Sequence, residues 1–312
     1  MSPSKISSLS GLPLLAILSG LPLPSALAAL PNGVSSGDVT DTSVVLWARS
    51  TQVGPIRFEW SESSDFKDAQ YTLSGVTSKQ VPAKTMIEDL KPATRYYFRA
   101  VDLSGKTAAG QFRTLAMATD AASLNFGVSG DIRPELAPYT GIRNAAAAGL
   151  DFFICMGDCI YAENYSVEAV PTASTLSAYQ AKYQFTLTAK NGLNTWANLR
   201  AATAQFAVMD DHEVINDYFG GGKPTDDARF DKNGQYVNET LRFWSGVEAF
   251  SEYMPIADEF YGDTGNALDS YKTKLYRSRT LGQAAMMAIV DTRSFRDKPL
   301  TPVTDLSPTG VG

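Results

Sequence analysis

A cluster of side chains that can bind a cation or move a proton surrounds the single histidine of this 312-residue chain. His212 lies in the stretch 209–217, where Asp210, Asp211 and Glu213 flank it. The apolar run directly before the cluster is typical of a buried strand that presents polar side chains at its C-terminal end. Acidic clusters are often solvated loops, but the apolar run favours a chemical site here.

Two further apolar runs end in a Gly-Asp pair, in which the glycine permits a sharp turn and the carboxylate follows the strand. Residues 124–128 lead to Asp131, and residues 150–156 lead to Asp158. In α/β sheets, ligands bind outside the carboxyl ends of the strands. Carboxylates that share a site repel each other and need compensating positive charge. We therefore expect Asp131, Asp158 and Asp211 to lie within reach of shared cations.

The composition indicates a globular protein. Hydrophobic residues make up 44% of the chain, which is enough for one large core or two smaller ones. The formal net charge of −6 and the lack of a long Lys/Arg run argue against a nucleic-acid-binding face. A small phosphorylated substrate is compatible with this charge, because metal ions supply positive charge locally.

Residues 1–28 have the pattern of a secretory signal peptide. Lys5 precedes a short apolar stretch, and the small residues around Ala28 predict cleavage after that position. Prolines and a glycine interrupt the apolar stretch, so we expect no transmembrane anchor after cleavage. These features predict a periplasmic or secreted protein, and a disordered tail is the alternative interpretation.

Cys155 and Cys159 are the two cysteines of the chain. Cys155 belongs to a predicted strand and Cys159 follows its turn, a spacing that makes disulfide geometry doubtful. We expect two free thiols, with Cys159 close to the metal site.

Residues 30–114 have the pattern of a small β-sandwich, in which short runs of strand-forming residues alternate with turn residues. The segment that ends in Tyr96 resembles the tyrosine corner of immunoglobulin-like and fibronectin type III domains. The segment 115–123 lacks a strong pattern and predicts a linker. The sequence therefore predicts a separate second domain at residues 123–312.

Strands alternate with helical stretches in this second part of the chain. The alanine-rich segment 142–149 predicts a helix between the first two Gly-Asp strands, which would make them parallel neighbours in a βαβ unit. Residues 174–200 predict a further helical region, residues 243–261 a helix or a lid, and residues 275–291 a hairpin-like pair of strands.

Four short blocks, taken in order, resemble the PhoD-type alkaline phosphatase family of metallophosphoesterases. They are Ser129-Gly130-Asp131, Gly157–Tyr161, Asp210–Glu213 and Val290–Arg293. The resemblance implies an α/β fold, with an immunoglobulin/fibronectin-like β-sandwich followed by a four-layer αββα metallophosphoesterase domain. Nothing here matches the family's later Gly-Asp-x-His segment, so we expect that domain to be incomplete at its C-terminus.

The resemblance also implies an exported alkaline phosphatase and phosphodiesterase with Fe³⁺ and Ca²⁺, which hydrolyses small phosphate monoesters or diesters for phosphate scavenging. Asp158 would bridge the metals, and Tyr161 would ligate ferric iron. Members of the family often have a metal-binding cysteine near this point of the sequence. Gly130 is the residue closest to that position here, and Asp131 follows it directly. Either Asp131 supplies this ligand or the first metal is held differently. The alternative function is an inactive, truncated relative that serves as a binding or scaffold protein.

The resemblance implies further roles for residues in and after the block Asp210–Glu213. Asp211 would take the place of the metal-binding Asn in the Asn-His-Glu pattern of metallophosphoesterases, and His212 would be the catalytic histidine beside it. Asn216 would be a calcium ligand. His212 would protonate the departing alkoxide or stabilise charge on the phosphoryl group. We expect Arg133 and Arg293 to be ion-pair partners rather than phosphate ligands.

Overall fold

The computed structural model describes residues 30–163 and 172–300. The predicted signal peptide, residues 1–28, lies outside the described residues. Among the described helices, none has the length and apolar content needed to cross a lipid bilayer.

Seven strands between residues 34 and 113 form the first part of the fold. They are β1 (Val34–Gly37), β2 (Val44–Ala48), β3 (Gly54–Ser61), β4 (Gln70–Val76), β5 (Ala83–Ile87), β6 (Arg95–Val101) and β7 (Thr107–Arg113). One sheet has the order β4-β3-β6-β7, and β5, β2 and β1 pair antiparallel in another. Tyr96 accepts a hydrogen bond from the backbone N–H of Lys91 at 3.0 Å, as the tyrosine-corner pattern predicts. Tyr96 and Phe98, two residues apart on β6, are buried, as expected for the core-facing side of a strand.

The second part is built on three parallel strands, β8 (Phe126–Ser129), β9 (Phe152–Cys155) and β10 (Ala204–Ala207). Strand β9 lies in the middle, which confirms that the two Gly-Asp strands are parallel neighbours.

Hydrogen bonding continues between the two parts of the chain, because β1 pairs parallel with β10 through Gly37 and Gln205. The resulting six-stranded sheet has the order β5-β2-β1-β10-β9-β8. A Cβ atom on Gly37 would lie 2.6 Å from the carbonyl oxygen of Gln205, so this close approach requires a glycine. The predicted domain ranges 30–114 and 123–312 thus share one sheet, and the boundary between them stays a prediction.

The connection between β8 and β9 differs from the prediction. The segment forms short 3₁₀ turns at Pro134–Leu136, Thr140–Ile142 and Ala145–Ala147 instead of an α-helix. The alanine-rich stretch is mostly exposed and ends at Gly149, which has a φ of +65°. Ile142 and Ala145 pack against the core, but so short a segment does not sustain an α-helix by itself, whatever the propensity of alanine.

Within the described residues, the second part also contains three α-helices: α1 (Leu176–Thr186), α2 (Thr195–Ala202) and α3 (Leu241–Tyr253). The predicted helical region 174–200 is therefore two helices, and α3 ends well before residue 261. Asn194 caps α2 by accepting a hydrogen bond from the backbone N–H of Ala197 at 2.8 Å. Helices α1 and α3 pack together, with the rings of Tyr183 and Tyr253 stacked at 5.2 Å between centroids.

The predicted hairpin is present as β11 (Arg277–Leu281) and β12 (Ala285–Ile289), which pair antiparallel around a turn at Gly282. Arg277 extends from β11 to the carbonyl oxygen of Ala207 at the end of β10, at 2.7 Å. Together these elements confirm an α/β fold with an N-terminal antiparallel sandwich.

Candidate metal centre

The segments predicted to bind metal meet at the carboxyl ends of β8, β9 and β10. The backbone N–H of Ile132, after β8, donates to the carbonyl oxygen of Asp158, after β9, at 2.8 Å. Gly157 has a φ of +97°, and a Cβ atom there would lie 2.6 Å from the Cβ of Asp210, which follows β10. Glycine at position 157 therefore allows the strand ends to approach this closely.

Two of the predicted ligands occupy a backbone conformation that is rare for residues other than glycine. Asp131 and Asp158 have φ angles of 57° and 53°. Aspartate tolerates this left-handed region better than most residues, and such conformations are concentrated at functional sites. The conformation directs both segments sharply away from their strands.

Asp158, Asp211 and His212 each offer one ligand atom, and these atoms all lie within 4.8 Å of one another. His212 Nε2 is 3.9 Å from Asp158 Oδ2 and 4.0 Å from Asp211 Oδ1. Asp158 Oδ1 is buried and has no hydrogen-bond partner among the described residues. A buried carboxylate oxygen without a donor is costly, and a cation would satisfy it.

Tyr161 connects Asp131 to this group. Its hydroxyl donates toward two carboxylates, 2.8 Å from Asp131 Oδ1 and 3.1 Å from Asp158 Oδ2. Burial, together with these two acidic neighbours, raises the pKa of Tyr161 above its usual range. Without a cation, the phenol therefore stays protonated, and a bound cation would have to displace that proton to gain a phenolate ligand.

The electrostatics of the cluster show an excess of negative charge. Burial raises the pKa of Asp158 to about 6, and the carboxylates of Asp211 and Asp210 add to this effect. Burial alone would lower the pKa of His212, but the carboxylates of Glu163, Asp158 and Asp211 more than offset it and raise the pKa above its usual value. The Asp158 shift thus follows mainly from burial, and the His212 shift follows from its acidic neighbours.

Glu213 holds two of the strand ends together, a role that the sequence pattern did not identify. Its fully buried carboxylate accepts hydrogen bonds from the backbone N–H groups of Cys159, at 2.5 Å, and Asp210, at 3.1 Å. Burial raises the pKa of Glu213 to about 8. The sequence placed Glu213 in the polar cluster beside His212, but gave no indication that its carboxylate would bind backbone N–H groups of two strand ends.

A second residue that the pattern missed is Glu163, whose carboxylate contacts Nδ1 of His212. No spacing rule connects positions 163 and 212, which come together only through the packing of two loops. The contact leaves Nε2 of His212 on the side that faces Asp158 and Asp211.

Arg293 is the ion-pair partner that the sequence predicts. Its guanidinium lies 2.7 Å from Asp210 Oδ1 and 3.1 Å from Asp211 Oδ2. The backbone N–H of Gly220 donates to the carbonyl oxygen of Arg293 at 2.9 Å, so the buried glycine-rich loop supports this arginine. Arg133 places its guanidinium carbon 4.9 Å from the centroid of the Tyr161 ring, and its side chain is half exposed.

The other predictions near the site have different outcomes. Asn216 is exposed, and its amide donates to Asp217 Oδ2 at 2.9 Å, so its role as a calcium ligand stays a prediction. Cys155 and Cys159 are free and buried, as expected. Their sulfur atoms lie only 2.9 Å apart, closer than the spacing suggested, and neither belongs to the cluster of possible metal ligands found among the described residues.

The donor atoms fit metal ions of two kinds. Carboxylate oxygens such as those of Asp158 and Asp211 suit hard cations such as calcium, and a phenol oxygen or an imidazole nitrogen suits iron. The unpartnered Asp158 oxygen and the crowded carboxylates are the features that such cations would stabilise.

Comparisons with known proteins match both parts of the chain. The sequence model of the PhoD-like phosphatase family matches residues 126–308, and that of the PhoD-like phosphatase N-terminal domain matches residues 22–116. Alkaline phosphatase D of Bacillus subtilis (strain 168) is 27% identical over 287 residues, which are 85% of this chain and 47% of that protein. A solved structure described as that of PhoD shares the fold, with a TM-score of 0.68 and 23% identity over 86% of this chain and 53% of the other. The chain thus spans about half the length of these relatives.

Proposed function

This chain belongs to the PhoD-like phosphatase family, and we propose that it hydrolyses phosphate esters at the cluster of Asp158, Asp211 and His212. The observation that carries the proposal is the convergence of these ligand atoms within 4.8 Å at the carboxyl ends of parallel strands. That edge of an α/β sheet is where ligands are usually bound. Small phosphate monoesters or diesters are the proposed substrates.

The proposed cofactors are Fe³⁺ and Ca²⁺. Asp131, Asp158, Tyr161, Asp211 and Asn216 would hold them, with the phenol oxygen of Tyr161 suited to iron and the carboxylates to calcium. Such a pair supplies positive charge to the phosphoryl oxygens and activates water for attack. The support for this assignment is the donor chemistry of the residues and the negative charge of the cluster.

We propose His212 as the proton donor in this reaction. Its Nε2 atom faces the carboxylate cluster, and its pKa is raised, so the imidazole holds its proton to higher pH than usual. The ring packs against Tyr161, with centroids 4.1 Å apart, which restricts its rotation. A fixed imidazole of this kind would protonate the departing alkoxide.

Other side chains orient the groups of the site. Arg293 pairs with Asp210 and Asp211 and thereby fixes the carboxylate of Asp211. Glu213 fixes the backbone on which Asp158 and Asp210 are carried. We further propose that the protein acts in the periplasm or outside the cell, where it would release phosphate for scavenging.

The test is hydrolysis of a chromogenic phosphodiester by the purified chain at alkaline pH, with iron and calcium supplied and a chelator-treated sample as reference. We expect turnover that the chelator abolishes. His212→Ala should lower the turnover by about 10²–10⁴-fold, the usual contribution of a positioned proton donor.

The control is Asp151→Asn, a carboxylate before β9 that lies 3.6 Å from Arg113, and it should keep full turnover. Circular dichroism should show the same fold in all three proteins. A folded, metal-loaded chain without turnover would overturn the proposed activity and leave the binding or scaffold role. Equal turnover in wild type and His212→Ala would remove His212 from the mechanism.

A further inference from the structure

We propose that Glu163 selects the tautomer of His212, by accepting a hydrogen bond from Nδ1–H and so leaving Nε2 without a proton when the imidazole is neutral. Glu163 is then a positioning residue, which acts on the site through His212. The tautomer is a property of this chain whether or not it hydrolyses phosphate esters, whereas its effect on hydrolysis rests on the proposed function.

The two imidazole nitrogens have different surroundings. Nδ1 contacts a carboxylate oxygen of Glu163. Nε2 lies on the opposite side of the ring, 3.9 Å from Asp158 Oδ2 and 4.0 Å from Asp211 Oδ1. The ring cannot exchange these positions freely, because it packs against Tyr161 at 4.1 Å between centroids. The geometry therefore assigns one nitrogen to Glu163 and the other to the cation site.

Hydrogen bonds to the backbone position Glu163 next to His212. The N–H group of Ala162, directly before Glu163, donates to the carbonyl oxygen of His212 at 3.0 Å. On the other side, the hydroxyl of Thr172 donates to the carbonyl oxygen of Glu163 at 3.0 Å. These bonds fix the backbone at His212 and at Glu163, which brings the Glu163 side chain within reach of the imidazole.

The carboxylate of Glu163 is in the form that accepts a proton donor. A glutamate carboxylate is normally ionised above about pH 4.3, and one of its oxygens lies against Nδ1 of His212. An ionised carboxylate has no proton to donate. The contact with Nδ1 therefore requires a hydrogen on that nitrogen, since two lone pairs facing each other would repel.

The hydrogen bond at Nδ1 determines the protonation state of Nε2. A neutral histidine carries one ring proton, and the hydrogen bond made by one nitrogen determines the state of the other. With the proton on Nδ1, Nε2 presents a lone pair to the Asp158–Asp211 cluster. It can then take up a proton and return it to a leaving group. Loss of Glu163 would release the imidazole from this state.

The single histidine makes a direct test possible, because the imidazole ¹⁵N resonances of the whole 312-residue chain come from His212 alone. The spectra are recorded on untagged, chelator-treated protein at a pH where the imidazole is neutral. We expect Nδ1–H in the wild type and a shift toward Nε2–H in Glu163→Ala. Glu163→Gln removes the charge and keeps the size of the side chain, so it should reduce the Nδ1–H population. This variant provides the test if Glu163→Ala does not fold.

The matched control is Glu259→Ala, which removes a carboxylate paired with Lys274 and should leave the imidazole spectrum unchanged. An Nε2–H tautomer in the wild type would overturn the proposal. The same is true of identical imidazole spectra in the wild type and the folded Glu163 variants.

A kinetic measurement then tests the role of the tautomer in hydrolysis. With metal-loaded protein, Glu163→Ala should lower kcat by about 10–100-fold for esters with poor leaving groups, since partners of this kind usually contribute that much. The loss should be smaller for p-nitrophenyl esters, whose leaving group needs little protonation. A tautomer shift without any change in rate would keep the tautomer assignment and overturn its role in catalysis.

Discussion

Two aspartates of the six-stranded sheet have similar backbones and opposite surroundings. Asp38 follows β1, Asp158 follows β9, and both are in the left-handed region, with φ angles of 45° and 53°. Asp38 is fully buried, yet Oδ1 accepts from Arg277 Nε at 2.7 Å and Oδ2 accepts from the backbone N–H of Ala257 at 2.9 Å. Its charge is compensated from within the fold.

Asp158 lacks this compensation. Its Oδ1 atom has no hydrogen-bond partner among the described residues, and its charged neighbours include the carboxylates of Asp210 and Asp211. The burial of a carboxylate is therefore not what distinguishes a structural from a functional aspartate here. The difference is whether the chain itself compensates the carboxylate, and no group among the described residues does so at Asp158 Oδ1.

The largest effect on stability should come from the compensated aspartate. Asp38→Ala would leave Arg277 buried without its partner, and breaking such a buried pair costs about 3–5 kcal/mol. Denaturant unfolding measures this loss. Asp258→Ala, which removes an exposed partner of Lys84, is the control and should cost at most about 1 kcal/mol. Equal losses in the two variants would show that the Asp38 pair does not stabilise the junction between β1 and β11.

A smaller effect should appear in the pH dependence of the chelator-treated protein. The pKa of Glu213 is raised to about 8 and that of Asp158 to about 6, so the folded state binds protons that the unfolded state releases. The stability linked to these groups is complete below their ordinary pKa values and is lost as the pH rises through the raised ones. The free energy of unfolding should therefore fall between about pH 4.5 and pH 8.

Each group contributes at most about 1.4 kcal/mol per pH unit to this decline. Glu213 has the higher of the two raised pKa values. Glu213→Gln should therefore flatten the dependence of the free energy of unfolding on pH between pH 6 and pH 8. Unfolding curves at several pH values, recorded for both proteins with chelator present, give the comparison. A slope that is unchanged in Glu213→Gln would mean that Glu213 does not take up a proton on folding.

The smallest effect on stability is expected at Asp158 itself. In chelator-treated protein, Asp158→Asn removes a charge that its neighbours repel and keeps the size of the side chain. The free energy of unfolding at pH 8 should stay within about 1 kcal/mol of the wild type or rise, which is the opposite of Asp38→Ala. A loss of several kcal/mol would mean that Asp158 serves the fold in the same way as Asp38.

The sequence predicted the elements in which local pattern and tertiary environment agree. Apolar runs that end in Gly-Asp are parallel strands with Asp131 and Asp158 at one edge, and the pattern around Gly282 is a hairpin. A glycine at a sharp turn and a buried apolar run are each defined by a few adjacent residues, so no long-range information was needed.

The contacts between distant segments could not be predicted in this way. Glu163 reaches His212, and Arg277 reaches Asp38, only because separate loops and strands pack together. Periodicity also gave no indication that β1 would join β10, since a strand of four residues fits either sheet. The helix predicted in the alanine-rich segment 142–149 did not form, because helix propensity alone does not stabilise a helix of so few residues.

The measurement that tests the central claim most directly is the metal content of the purified chain after loading with iron and calcium and removal of unbound ions, determined by plasma mass spectrometry. The wild type and Asp151→Asn, which changes the opposite end of β9, should retain both metals, and Asp158→Asn should lose them. Equal retention in wild type and Asp158→Asn would contradict the account, because the uncompensated carboxylate at the strand end would then not be the one that holds the cations.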